Sequence, residues 1–415
     1  MNININRIRS DLHEKNKEML KENDAFIDEL NTELMNDDLL LVENDESSPM
    51  SVVFVESGGS EVKFIPLLDK LKDPIILLSN GKNNSLPASL EIKTYIRQKG
   101  RDCFLLTGDE ENIALGIRRS YSAFNASKVI DNSNLGVIGT PSDWLIASKV
   151  DYKLVKDKFN INLIDIPMLE LEIELKNGID KDIPHKEQFE KKFKNKEVLN
   201  GALTLYSALK RIVKRYNLKG FTLRCFDLLT SYKNTSCLAF SILNEEGITA
   251  ACEGDVPSLL TMFFIKALTD LPSFQTNPSY VDLKNNTILF AHCTLPLNMA
   301  QKYTLTTHFE SGIGIGVKAE MPLGKVSVIK LAPSLKIEDS VAFSGNIKRN
   351  LSLPNYCRTQ IEIEPEEDNI ITLFRDDFGN HMIITYADCV GGFYNLLNLY
   401  ETRYKANMKK EEKEK

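Results

Sequence analysis

Residues 51–78 read SVVFVESGGSEVKFIPLLDKLKDPIILL, and the fold class turns on this stretch. Two apolar runs, SVVFV (51–55) and PIILL (74–78), flank a polar turn and an amphipathic segment. Short runs rich in Val, Ile and Leu without polar alternation are the mark of strands covered on both faces. The pattern repeats outward in CFLL (103–106) and LGVIG (135–139), with helical segments such as ASLEIKTYIRQKG (88–100) between. Strand and helix in alternation imply parallel strands joined by crossovers, hence an open doubly wound α/β sheet. A second alternating set follows: INLIDI (161–166), a helical span over 186–217, FTLRCF (221–226), ITAAC (248–252), the helix LLTMFFIKAL (259–268) and TILFAHC (287–293).

After about residue 296 the helices drop out. YTLTTHF, GIGIGV, KVSVIKL, RTQIEIE, ITLF and MIITY follow one another as in an antiparallel sheet or barrel. A helix over roughly 391–406 closes the chain, before a charged tail that is expected to fray. At the other end, Ile8, Leu12, Met19, Phe26, Ile27, Leu30 and Leu34 recur at helical spacing, with Ser10 as the expected N-cap. The expected architecture is α/β, two doubly wound parallel-sheet domains followed by a C-terminal antiparallel β domain. Its parts are a polar helix and linker (1–50), an N-terminal α/β domain (51–150), a central α/β domain (151–295), and a C-terminal β domain with closing helix and tail (296–415). A length of 415 residues suits that number of domains.

Composition narrows the function. With 51 Lys+Arg against 58 Asp+Glu the formal charge is −7, which speaks against a dedicated nucleic-acid binder. Much of the acidity sits in residues 1–50, which leaves a near-neutral body suited to a polar, uncharged ligand such as a free sugar. No apolar stretch approaches the length of a membrane span. The first residues lack the apolar run of a secretory signal. The cysteines at 103, 225, 237, 252, 293, 357 and 389 form no CxxC pair and fall mostly in apolar runs, as reduced thiols of a cytoplasmic protein do.

Ligands of open α/β sheets bind beyond the C-terminal ends of the strands, so the polar residues there are the candidates. Glu56-Ser-Gly-Gly-Ser-Glu61 follows the first strand and allows either a plain βα turn or a close backbone approach to a ligand. Asn83-Asn-Ser-Leu-Pro-Ala-Ser89 is a helix cap or a sugar-contacting loop. Thr140-Pro-Ser-Asp-Trp144 reads as a cap and carries the one tryptophan. Cys252-Glu253-Gly254-Asp255 is the strongest local signal. Its carboxylates at i and i+2 on an extended segment share a side. There they suit a hard divalent cation, or they simply cap the helix that follows. Asp227 ends FTLRCF in the same way. Of the five histidines, His292, His308 and His381 sit at strand ends in the second half. Gly312-Ile-Gly-Ile-Gly316 opens no helix and is not a dinucleotide fingerprint, and the P-loop, HExxH and GxSxG motifs are absent.

These segments, taken in order, resemble the L-fucose/L-arabinose isomerase superfamily, particularly its short fucose isomerase-like members. The matching stretches are Glu56–Glu61, Asn84–Glu91, Pro141–Leu145, Arg224–Leu229, Ala251–Asp255, Ala291–Thr294, His308–Gly312 and Gly379–His381. The resemblance implies a metal-dependent aldose–ketose isomerase that works through an enediol, with Mn²⁺ or another divalent cation such as Mg²⁺. It also implies a homo-oligomer, a trimer or hexamer with shared active sites. On it, Asp227, Asp255 and His381 are the expected metal ligands, and Asp227, Asp255 and Glu253 the proton-transfer groups. Ser60, Asn84, Ser85, His292 and His308 are the expected sugar contacts. The chain departs from the pattern at Leu228, where a Glu is expected, and at Tyr386-Ala-Asp388, where a Gly is expected before the Asp. A non-catalytic sugar-binding relative is the alternative that Leu228 supports.

Overall fold

Burial of the apolar runs organises a computed structural model that describes residues 1–45, 47–101, 103–366, 370 and 379–414. Two units result, Met1–Asn125 with Asn395–Lys415, and Ala126–Tyr394.

In the first unit, β1 (Asn2–Ile8), β2 (Leu40–Glu43), β3 (Ser51–Val55), β4 (Ile75–Ser79) and β5 (Cys103–Thr107) form a parallel sheet in the order β2-β1-β3-β4-β5. This doubly wound order reverses direction between β1 and β3. The helix expected to start at a Ser10 cap begins only at Lys17, in Lys17–Leu34, where the Asn16 side chain accepts from the Met19 N–H. Within residues 2–8, NININRI, the first five alternate polar and apolar at the period of a strand, and Ile3, Ile5 and Ile8 are buried. Ser10 caps no α-helix; its hydroxyl meets His13 Nδ1 at 2.7 Å and its N–H donates to Ser57 Oγ at 3.0 Å. Residues 1–50 are therefore the first βαβ turn of the sheet rather than an appendage. The buried carboxylate of Glu56, after β3, is held by Arg7 and Arg9.

The second unit opens with β6 (Asn134–Ile138), which the sequence placed with the first sheet. It pairs instead with β7 (Asn162–Ile166) and β8 (Gly220–Leu223), and β9 (Thr249–Ala251) completes a parallel sheet of order β7-β6-β8-β9. Six antiparallel strands then close a barrel: β10 (Phe274–Asp282), β11 (Thr287–His292), β14 (Gly324–Lys330), β15 (Val341–Leu351), β16 (Thr359–Pro365) and β17 (Met382–Thr385), in the order β10-β11-β16-β15-β14-β17. TILFAHC is therefore a barrel strand, antiparallel to β10 and β16. The ribbon β12 (Lys302–Thr306) and β13 (Gly316–Glu320) lies outside the barrel ladder. The expected strand ITLF falls outside the described residues. One core runs through both layers of this unit, from Phe221 and Phe240 to Phe274, Phe290, Val328 and Ile363. Among the described residues no helix is long and apolar enough to cross a membrane.

The strand at the N-terminus makes a direct prediction. Ile3 and Ile5 are buried (0% and 2% exposed), so Ile3→Ala or Ile5→Ala should cost about 2–5 kcal/mol in urea unfolding. Leu12→Ala, at an exposed position, should change stability by less than about 0.5 kcal/mol.

Candidate metal centre

β9 ends in Cys252-Glu253-Gly254-Asp255, and the backbone there does not stay extended. Glu253 and Gly254 both take positive φ (66° and 71°). A Cβ on Gly254 would lie 2.6 Å from the Thr140 carbonyl oxygen and 2.7 Å from Pro141 Cα, so the chain can double back only at a glycine. The turn is fixed by Gly254 N–H donating to Leu223 O and Ser142 N–H donating to Glu253 O, each at 2.9 Å. Glu253 and Asp255 thereby receive different tasks.

Asp255 is wholly buried and caps the helix Val256–Thr269. Its Oδ1 accepts from the Ser258 N–H and its Oδ2 from the Ser258 hydroxyl, both at 2.8 Å. Lys330, at the end of β14 and equally buried, brings Nζ to 3.3 Å from Oδ2 and 2.9 Å from Ser258 Oγ. His381, just before β17, places Nδ1 2.8 Å from the same Oδ2. Burial alone would raise the Asp255 pKa, but the Lys330 charge and the His381 hydrogen bond hold it well below the usual carboxylate range.

With Nδ1 engaged, His381 turns Nε2 toward Glu253 Oε1 at 3.4 Å, where this buried nitrogen has no hydrogen-bond partner. His292, at the end of β11, puts Nε2 4.0 Å from the same oxygen, its Nδ1 lying 3.0 Å from Thr294 Oγ1. The other oxygen of Glu253 accepts from Trp144 Nε1 at 2.7 Å. One carboxylate oxygen and two imidazole nitrogens thus converge within 4.8 Å of one another, all from buried residues.

The charges suit this geometry. Burial works against the Glu253 anion, yet His381, His292 and the Trp144 N–H bring it down to about 2. Burial likewise opposes a charge on His381, yet Asp255 and Glu253 raise it to about 9. Burial and the neighbouring His381 push His292 down to about 3, so its ring is neutral. A divalent cation in place of the His381 proton would meet an anionic oxygen and two imidazoles, a donor set typical of first-row metals. The stranded Nε2 is the atom such an ion would satisfy. Asp255 stands behind His381 as a carboxylate orienting a ligating imidazole.

Of the expected ligands, His381 belongs to this group. Asp255 stands one shell behind it, and Asp227 lies apart from it. The chain turns into a short helix, Asp227–Ser231, right after Cys225 and Phe226, so Asp227 faces outward. There its carboxylate meets Arg224 Nε at 3.0 and 3.1 Å, and the Arg224 guanidinium also holds Asp143. Leu228 is buried (1% exposed). Glu253, expected as a proton-transfer group, and His292, expected as a sugar contact, complete the convergence. His308 lines the same cavity as Glu253 and His292, edge-on to Phe226 at 5.7 Å.

Ser60, Asn84 and Ser85 belong to the first unit. The Ser60 hydroxyl donates to Ser57 O at 2.6 Å, Asn84 adopts φ 58° before the helix Ser85–Gln98, and Ser85 Oγ lies 2.8 Å from Ser79 Oγ. A cavity of about 410 Å³ in that unit, lined by Asp73, Lys93, Arg101 and Asn407, lies at the starts of β4 and β5, the end of the sheet opposite to where such folds bind ligands. The sequence offered no reason to see Trp144 as a ligand partner, and it assigned no role to Lys330 or Glu310, although Glu310 lies in the quoted stretch His308–Gly312. Lys330 did leave a signal, because it continues the inward alternation Val326, Val328, Lys330, where a charge demands a buried partner.

Removing one member of the buried pair should be costly. Asp255→Ala leaves the Lys330 charge unpaired and should lose about 3–5 kcal/mol in denaturant unfolding. Adding Lys330→Met to it should recover part of that loss, and simple additivity of the two would contradict the pairing.

No family model matches the chain. Over 398 residues it is 24% identical to a sulfoquinovose isomerase of Clostridium sp. (strain MSTE9), covering 87% of this chain and 85% of that protein. The sulfoquinovose isomerase of Alkalicoccus urumqiensis is 22% identical over 393 residues, with 87% and 88% covered. That of Priestia aryabhattai is 20% identical over 349 residues, 78% of each. The chain is thus distantly related, along most of its length, to proteins named as sugar isomerases.

Proposed function

We propose that this chain is a metal-dependent aldose–ketose isomerase of the fucose/arabinose isomerase type, acting on a sugar in carbohydrate metabolism. The observation that carries the reading is the buried convergence of Glu253, His292 and His381 in a chain whose distant relatives are sulfoquinovose isomerases. Mn²⁺, or another divalent cation such as Mg²⁺, would be held by these three residues and would supply Lewis-acid stabilisation of the two oxygens of an enediolate. Two imidazoles in the set favour Mn²⁺ over Mg²⁺.

The chain's own residues prepare the site. Asp255 occupies His381 Nδ1 and so turns Nε2 toward Glu253 Oε1. Thr294 does the same for the His292 ring, and the Trp144 N–H holds one Glu253 oxygen so that the other faces the histidines. Phe226, Leu229 and the thiols of Cys225, Cys252 and Cys293 line the cavity with apolar surface that limits water. Sugar contacts from His308, Ser60, Asn84 and Ser85, and a trimer or hexamer with shared active sites, belong to the same reading.

A second reading, a sugar-binding protein without turnover, is favoured by one observation. Leu228 is buried at the position where a first carboxylate is expected, and Asp227 is tied to Arg224. The two readings separate in one assay. Protein stripped with EDTA should release no ketose from an aldose panel that includes sulfoquinovose, and Mn²⁺ should restore release. Mn²⁺ bound without ketose from any sugar would leave the binding role. Glu253→Gln should weaken Mn²⁺ binding, read by calorimetry, by more than about tenfold.

A further inference from the structure

Isomerisation needs a group that carries a proton between two carbons, and the atoms described so far are already committed. Glu253 has one oxygen on Trp144 and the other facing His381 and His292. Asp227 is turned away on Arg224, and Leu228 carries no proton-transfer group. One other carboxylate lines the cavity among the described residues, that of Glu310.

Glu310 sits in the loop between β12 and β13, and that loop is braced at both ends. His308 N–H donates to Ile313 O and Gly312 N–H to His308 O, each at 3.0 Å. Arg358 donates through Nε to Thr307 O at 2.7 Å and lies over the Phe309 ring at 5.7 Å. The Thr235 hydroxyl donates to Ile315 O and accepts from Ile315 N–H, both at 2.9 Å. Gly314, at φ 62°, packs so tightly on Thr235 that a Cβ would come within 2.5 Å of its hydroxyl oxygen. Within this fixed loop, Glu310 makes no hydrogen bond or ion pair among the described residues. Its side chain is exposed, so it stands at the cavity mouth, where a sugar would enter.

We infer that Glu310 is the proton-transfer residue of this site, supplying from the β12–β13 loop the carboxylate that position 228 lacks. The inference rests on the isomerase reading above. The Glu310 carboxylate takes the proton from C2 of the aldose, and the C2–H electron pair becomes the C1=C2 bond of the enediolate as the carbonyl pair moves onto O1. The O2 hydroxyl proton passes to O1. The Glu310 carboxylic acid then returns its proton to C1 as the O2 electron pair forms the ketone, so protons and electrons balance without a further reactant.

The test uses the full chain with Mn²⁺ restored, comparing wild type, Glu310→Gln and Glu310→Asp in D₂O by NMR, with Mn²⁺ affinity measured separately by electron paramagnetic resonance. Glu310→Gln should lose about 10²–10⁴-fold in kcat and all deuterium exchange at C1 and C2, with Mn²⁺ affinity unchanged. Glu310→Asp should keep part of the rate. A Glu310→Gln rate within about threefold of wild type would overturn the assignment while leaving the isomerase reading intact. Loss of Mn²⁺ affinity in Glu310→Gln would overturn it in favour of a ligand role. A wild-type protein that binds Mn²⁺ and neither isomerises nor exchanges any aldose would overturn both.

Discussion

A single buried negative charge, the Asp255 carboxylate, organises the second unit. An anion at zero exposure is tolerated only if it is surrounded by donors, and the fold brings them from three directions. Ser258 comes from the helix that Asp255 caps, Lys330 from the end of β14, and His381 from the entry to β17. The parallel sheet and the barrel are joined through this carboxylate as well as through their shared apolar core. Its polar partners also fix direction, because each must present a particular atom.

The convergence of Glu253, His292 and His381 is a by-product of that arrangement. Once Asp255 has claimed Nδ1 of His381, the remaining nitrogen faces Glu253. Glu253 reaches the cavity because the chain reverses at two successive positive φ angles, a reversal that Gly254 permits beside Thr140 and Pro141. His292 arrives from β11, on the barrel side. The three converging atoms therefore come from the turn after a parallel strand, the end of one barrel strand and the entry to another, which no local stretch of chain could assemble alone.

Much of this was legible in the residues. The apolar runs announced two parallel sheets and an antiparallel β domain, because the periodicity of burial is written locally. The strand at residues 2–8 was missed, although Asn and Ile alternate over residues 2–6, since the helical spacing that begins at Ile8 outweighed so short a run of period two. The strands 134–138 and 287–292 were recognised but given the wrong neighbours, since an apolar run says that it is covered and not by what. At the site, Cys252-Glu-Gly-Asp255 and the three strand-end histidines were all marked as candidates. The division of labour between Glu253 and Asp255 was not visible, because the i, i+2 rule assumes an extended chain and Gly254 breaks it.

The sequence by itself determined the layer types, the strand-end positions where polar residues gather, and the residue types of the site. Those properties depend on local periodicity and on chemistry carried by individual side chains. Only the tertiary structure decided that Asp227 turns outward to Arg224, that Asp255 supports His381, and that Glu253, His292 and His381 meet. Each of these outcomes is a matter of backbone direction at a strand end and of which distant donor neutralises a buried charge. Such pairings link residues as far apart as Asp255 and His381, 126 positions along the chain, and only closure of the barrel brings them together.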